Sequence, residues 1–272
     1  MPTTVADVLA AVERLWPSSG SEKWDAPGFL SGDPKAPVHR IRFAVDAVGA
    51  TAEEAITEGA DVLVVHHPLL LRGVTSIAET GYKGSVLATL IRGNCALIAA
   101  HTNADVVETG TSAVLANLLG LVGAIPITAG ETARRGIGRV GTLDEPTTLG
   151  RLARRLAEIA PATASGIRVS GEYDRPIHTV ALCAGAGDSL LSHPAVLAAD
   201  VYITSDLRHH PASEARENAR VSRGPALIDV SHWASEWLWL QTAAEELSRQ
   251  LPGVEISLSE LSTDPWDFTI VQ

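Results

Sequence analysis

Apolar residues recur at Val5, Val8, Leu9, Val12, Leu15 and Trp16, the three-and-four spacing of a helix that buries one face. The pattern predicts a helix over Thr4 to Trp16, with Thr3 or Thr4 as its N-cap. A Pro-, Gly- and Ser-rich stretch over 17–37 predicts a loop. The period then shortens. "VHRIRFAVDAV" alternates as a strand does, "TAEEAITEGA" has a helix's N-cap threonine and a glycine stop at Gly59, and "DVLVVHH" is a near-continuous apolar strand. Tyr82 to Arg92 predicts a helix, "CALIAA" a strand ending on His101, and Ser112 to Leu121 another helix. Strands that are apolar throughout, alternating with helices, predict a parallel sheet covered on both faces.

From about Pro126 the pattern changes. "ETARRGIGRVGTLDEPTTLGRLARRLAEI" predicts a short strand and a basic-faced helix. "HTVALCAGAGDSLL" predicts a strand running into a glycine-rich turn and a helix. "ADVYITSDL" reads as a strand, Pro211 to Ala219 as a helix, and "PALIDVSHWASE" as a strand entering a helix. A long helix over Ser235 to Arg249 and a late strand, "GVEISLS", follow. The expected fold class is α/β, with two α/β domains built on mainly parallel or mixed sheets covered by helices. One domain comprises 1–125 with 229–272 and carries a metal site at the C-terminal ends of its strands; the other spans 126–228.

Composition narrows the function classes. The chain has 272 residues, 46% of them apolar, enough to bury a core without disulfide staples. A net charge of −11 argues against a general nucleic-acid or anionic-membrane binder, which needs a lysine or arginine face. Cys95 and Cys183 lie in separate apolar runs with no zinc-type spacing, and are expected to be buried free thiols of a cytoplasmic protein. "MPTTVADVLAAVERLW" has neither a basic n-region nor an apolar h-region, so no signal peptide is expected. No apolar run approaches the roughly 18 residues of a membrane span.

Three predicted strands end alike. "DVLVV" ends on His66 and His67, "CALIAA" on His101 with Asp105 four residues later, and "ALIDV" on Ser231 and His232 with Glu236 four residues later. Ligands of open parallel sheets gather beyond the carboxyl ends of strands. Neighbouring strand residues point to opposite faces, so His66 and His67 are expected to serve two different ions. His232 and Glu236 share one helical face. Imidazole and carboxylate donors suit zinc, iron, manganese, cobalt or nickel. Two such ions roughly 3.5–4 Å apart can hold a hydroxide between them for hydrolysis. A single strand-end histidine is ordinarily a solvated or hydrogen-bonded residue; three such ends, two with a carboxylate at the fourth position, favour a metal site. Asp206, His209 and His210 follow another strand end and are read either as substrate-binding or proton-transfer groups, or as a helix N-terminus with a surface histidine pair. Gly185 and Gly187 read as a tight turn in preference to an anion seat, and Trp237 and Trp239 as packing residues.

"GADVLVVHHPLLLRG", "IAAHTNAD", "DVYITSDLRHH" and "LIDVSHWASE", in this order, resemble the NIF-three-like family of dinuclear metal-centre proteins. Its members often carry the name GTP cyclohydrolase I type 2 homolog. The resemblance runs from "WDAPGFLSGD" to "DPWDF", nearly the whole chain. It implies two divalent ions per subunit on His66, His67, His101, Asp105, His232 and Glu236, with Asp105 and Glu236 helping to join the ions. It also implies a toroidal homohexamer of two-domain subunits, and at this length the short form without an inserted middle domain. The chain departs from the family pattern at Ala26 of "WDA", at Ser205 and Ser231, which replace glycines, and at Trp233; none of these removes a ligand. The expected function is a dinuclear metal hydrolase in which a metal-bridging hydroxide attacks a phosphoester or nucleotide-like small molecule, Asp206 or His210 moving the proton. The alternative is a hexameric metal-binding scaffold, regulator or cofactor-handling protein without turnover. The chain has neither a P-loop nor the zinc-binding cysteines of the well-characterised cyclohydrolases.

Overall fold

A computed structural model of the chain describes residues 2–222 and 224–271. The chain forms two compact units. One contains the chain up to Ala104 together with Leu240–Thr263; the other contains Asp105–Trp239 and the tail from Asp264.

The first unit opens with helix α1 (Val5–Leu15). Thr4 is its cap: the Thr4 hydroxyl accepts from the Asp7 N–H, and the Asp7 carboxylate accepts from the Thr4 N–H at 2.8 Å. This reciprocal box satisfies two backbone donors that the helix start leaves open. Strand β1 (Gly28–Ser31) lies inside the stretch expected to be a loop. It is a four-residue edge strand antiparallel to β4 (Ala96–Ala99), held by backbone pairing and not by an alternating apolar face. Between them run β2 (Arg40–Asp46), α2 (Gly49–Thr57), β3 (Val62–His67) and α3 (Tyr82–Arg92). Helix α2 begins two residues before the expected threonine cap. Thr51 sits within its first turn, where its hydroxyl accepts from the Val48 N–H and donates to the Asp46 carbonyl. Gly59, at φ +68°, makes the expected stop. β2, β3 and β4 are parallel, and Val62 to Val65 are fully buried, which explains a strand with no polar face. Helix α4 (Thr102–Asp105) closes this run, its last residue beginning the second unit.

The second unit contains α5 (Thr111–Leu118), β5 (Leu121–Ile125), β6 (Thr128–Ala129), β7 (Gly136–Ile137), β8 (Arg139–Thr148) and α6 (Leu149–Ile159). It continues through β9 (Arg168–Ser170), β10 (Pro176–Ala186), α7 (Pro194–Leu197), β11 (Val201–Ser205), α8 (His209–Val221), β12 (Ala226–Val230) and α9 (His232–Trp237). Among the described residues, its main sheet has the order β5-β8-β10-β11-β12-β9. β10, β11 and β12 are parallel, whereas β5, β8 and β9 pair antiparallel to their neighbours. Leu149, Leu152 and Leu156 of α6 bury one helical stripe against Val180, Leu182 and Ile228 of this sheet. The helix expected over Ser112 to Leu121 stops at Leu118, because Gly120 turns the chain at φ +73° and Leu121 starts β5.

The chain re-enters the first unit as α10 (Trp239–Gln250) and β13 (Glu255–Leu258), the latter parallel to β2. The first sheet therefore reads β1-β4-β3-β2-β13, a mixed sheet with one antiparallel edge. The single helix expected over Ser235 to Arg249 is divided at Leu238, although its apolar periodicity continues across the break. The units also divide elsewhere than at the 125/126 and 228/229 boundaries expected from sequence. Helix α5 packs on β5, β8 and β10, and α9 on β10 and β11, so both segments belong with the second sheet. Among the described residues, no helix is long and apolar enough to cross a membrane.

Candidate metal centre

In the first unit, β3 ends on His66 and His67, and His101 follows β4. Their ring centroids lie 5.0 Å, 5.1 Å and 5.3 Å apart, and each offers a ring nitrogen within 4.8 Å of the others. The adjacent pair was expected to diverge, as alternating strand residues do. Each ring is instead turned by its own hydrogen bond. His66 Nδ1 donates to the Ala100 carbonyl at 2.8 Å, and His67 Nδ1 to the Asp46 carboxylate at 2.7 Å. Asp46 is opposite His67 in the β2–β3 register. His101 Nδ1 donates to Asp25 at 2.7 Å, while Trp24 packs edge-on to the same ring. Asp25 also accepts from the Thr102 hydroxyl and N–H and from the Ala26 N–H. Burial raises the Asp25 pKa, but the His101 and Thr102 hydrogen bonds outweigh it and hold the carboxyl down at about 2.

In the second unit, His232 opens α9 and Glu236 stands one turn later, with His232 Nε2 3.0 Å from Glu236 Oε1. Glu236 is buried. Ser231, which replaces a family glycine, is the N-cap: its hydroxyl accepts from the Ala234 N–H and donates to Asp264 of "DPWDF". His232 Nδ1 donates to Asp206 at 2.7 Å. Asp206 occupies the left-handed region at φ +58°, a conformation aspartate tolerates better than most residues. Asp105 accepts from the Thr111 hydroxyl at 2.5 Å. Gly185, at the end of β10, has φ +73°, and a Cβ there would lie 2.3 Å from Glu236 Oε1 and 3.2 Å from His232 Nε2. The backbone must therefore pass this pair without a side chain, the close approach that glycine permits. Gly187 is as closely packed, against Tyr202 and Thr204; Gly185 and Ala186 still belong to β10, and the turn expected of "GAG" begins only at Gly187, whose carbonyl accepts from the Leu190 N–H. His210 lies exposed in the first turn of α8, its ring edge-on to His209. Asp206, expected as a proton carrier, accepts from His232, a candidate ligand.

Each of the four histidines thus has Nδ1 on an oxygen acceptor, which fixes the orientation of the ring, while His232 Nε2 faces Glu236 Oε1. This is the outer-shell arrangement of metal-ligating histidine, and the donors fit a borderline divalent ion. Thiolate takes no part: burial, reinforced by Asp105 and Glu236, pushes the Cys183 thiol up to about 12. Sequence reasoning missed Asp25 and Asp46. The only signals for them were the aspartate of "WDA" and a carboxylate at the end of "FAVD".

Burial opposes a charge on His232, but Glu236 and Asp206 overcome it and raise its pKa to about 11. Without metal, the imidazolium holds a proton where an ion would bind. Below that pKa, metal uptake has to release it. Calorimetric zinc titration at pH 7, in buffers of different ionisation enthalpy, is expected to show at least one proton released per subunit, with apparent affinity rising as pH rises. Zinc uptake without proton release would contradict this assignment.

The family model described as Duf34/NIF3 (NGG1p interacting factor 3) matches residues 3–265. A GTP cyclohydrolase 1 type 2 homolog of Streptomyces coelicolor is 44% identical over 269 residues, covering 96% of this chain and 93% of the relative. A protein of the same name from Mycobacterium leprae is 30% identical over an alignment of 375 positions, covering 98% of this chain and 96% of its own length. Among solved structures, a Staphylococcus aureus hypothetical protein matches with a TM-score of 0.89 at 26% identity, covering 99% of this chain and 100% of that one.

Proposed function

The chain belongs to the Duf34/NIF3 family, in its short form, and from that premise we propose that it is a dinuclear metal-dependent hydrolase acting on a phosphoester or nucleotide-like small molecule. In this reading His66, His67 and His101 of the first unit, and Asp105, His232 and Glu236 of the second, ligate two divalent ions in a homohexamer. The observation that carries it is that Nδ1 of all four histidines is held by an oxygen acceptor, the arrangement that orients metal-ligating imidazoles. Two ions so held supply Lewis acidity and an activated water for hydrolysis. The residues do the rest: Asp25, Asp46 and the Ala100 carbonyl aim three imidazoles, Asp206 aims the fourth, and Glu236 accepts a hydrogen bond from His232 Nε2–H and balances the imidazolium charge in the absence of an ion. GTP enters the screen only through the names of the relatives, because the chain has neither a P-loop nor the zinc-binding cysteines of the well-characterised cyclohydrolases.

The second reading is a metal-binding scaffold or cofactor-handling protein without turnover. The commitment of Asp206 to His232 favours it, because a proton carrier is thereby tied up. Purified full chain loaded in turn with zinc, iron, manganese, cobalt and nickel should be assayed against phosphoesters and nucleotides, GTP included. Light scattering on the same samples tests the hexamer. The hydrolase reading expects turnover that His66→Ala and Asp105→Ala both abolish along with bound metal. If no metal form turns over any substrate, and these variants change metal content alone, the scaffold reading stands. Well under one ion per subunit after loading would defeat both.

A further inference from the structure

Arg139, the first residue of β8, is 3% exposed, while Arg134 in the preceding loop is exposed. The flanking segment is shaped to receive its guanidinium. Gly136 and Gly138 have φ +147° and +66°, and both turn their carbonyls onto one Arg139 nitrogen, at 2.7 Å each. A Cβ on Gly136 would lie 2.0 Å from the Thr128 carbonyl, and one on Gly138 would lie 2.9 Å from the Leu182 carbonyl. The other terminal nitrogen reaches across to the Val107 carbonyl at 2.8 Å. Beside it the Gly136 N–H donates to the Val106 carbonyl, also at 2.8 Å. The two residues that follow Asp105 therefore each have their carbonyl fastened by the 136–139 segment. Thr111 holds the Asp105 carboxylate itself. Burial disfavours the guanidinium charge, and Glu108 and Asp105 sustain it. A buried arginine surrounded by carbonyls is an expensive feature at the start of a strand, since the charge has to be taken out of water.

We propose that Arg139 is a positioning residue for the ligand Asp105, clamping the 106–107 turn so that the carboxylate is held ready for a metal ion. The inference rests on the metal reading given above. A planar fork can hold three carbonyls at once, and a lysine ammonium on a flexible stem cannot do so in the same geometry. Outer-shell partners of metal ligands are worth roughly 10- to 100-fold in metal affinity. Arg139→Lys, which keeps the charge, should weaken zinc binding about 10-fold or more in the full chain, measured by competition with a chromophoric chelator. In an Asp105→Asn background the same substitution should have almost no further effect, since the ligand it positions is already lost. A merely structural arginine would weaken both backgrounds alike. Equal losses in the two backgrounds, or wild-type affinity in Arg139→Lys, would overturn the proposal. A second measurement needs no variant: zinc loading of the wild-type chain should slow hydrogen exchange of the Gly136 amide, which bonds the turn after Asp105. Unchanged exchange at Gly136 in a zinc-loaded chain would also overturn it. A wild-type chain that fails to bind zinc defeats the metal reading and the clamp together, whereas zinc binding indifferent to Arg139 defeats the clamp alone.

Discussion

If the chain binds two ions as proposed, Gly185→Ala is expected to leave only one bound zinc per subunit, the survivor depending on His66, His67 and His101. Alanine in the left-handed region carries roughly 1–2 kcal/mol of strain. The larger effect is steric. The new methyl would sit 2.3 Å from Glu236 Oε1, and Glu236 is 3% exposed, so its carboxylate has no solvent to retreat into. Nor can the backbone swing aside easily. The Gly185 N–H is held by the Ser235 hydroxyl at 2.9 Å, and its carbonyl by the Thr204 hydroxyl at 3.1 Å. The carboxylate must therefore move, taking the His232 Nε2 contact with it. Elemental analysis after zinc loading and removal of excess metal reads the result directly. Two tightly held ions in the alanine variant would show that this carboxylate is not a ligand in its present position.

Asp25→Ala is expected to weaken zinc binding by about 10- to 100-fold and to destabilise the metal-free chain as well. The Asp25 side chain is fully buried and serves as acceptor for the His101 ring, the Thr102 hydroxyl and N–H, and the Ala26 N–H. Each buried donor left unpaired costs about 1–3 kcal/mol, so a loss of about 3 kcal/mol or more is expected at pH 7. Asp25→Asn keeps one acceptor oxygen and should lose less. The pH dependence has a defined sign. The carboxyl is held at about 2 in the folded chain against an ordinary 3.8, so its contribution is complete above about 3.8 and fades as pH falls towards 2. Urea denaturation of wild type and Asp25→Asn should therefore converge in acid. A gap that persists to pH 2 would remove the carboxylate from its assigned role.

The histidine-bearing strand ends were legible because a buried parallel strand is apolar on both faces, so a histidine at its end breaks an obvious run. Val62 to Val65 before His66 is such a run; Ala226 to Val230 before His232 is one interrupted by Asp229. The acceptors behind the histidines were not legible, because they arrive by register and loop closure. Asp46 meets His67 only because β2 and β3 pair with those residues opposite, and Asp25 reaches His101 from 76 positions away. β1 escaped notice for a related reason. As a short edge strand it needs hydrogen-bonding partners more than an apolar face, and its composition is that of a loop. The division between α9 and α10 had no signal at all, since the same apolar spacing serves both helices.

The pairing of β13 with β2 has a consequence for biosynthesis. Arg40 and Glu255, neighbours across that pair, are separated by 215 positions. During translation β2 is an uncovered sheet edge until almost the whole chain has been made, and contacts this distant in sequence form slowly. The same late segment supplies Thr263, whose hydroxyl donates to the Asp46 oxygen not used by His67. The carboxylate that orients His67 is thus fully anchored only after the C-terminal segment has docked. Completion of the acceptor set behind the three-histidine cluster therefore waits on the docking of β13 and the segment that follows it.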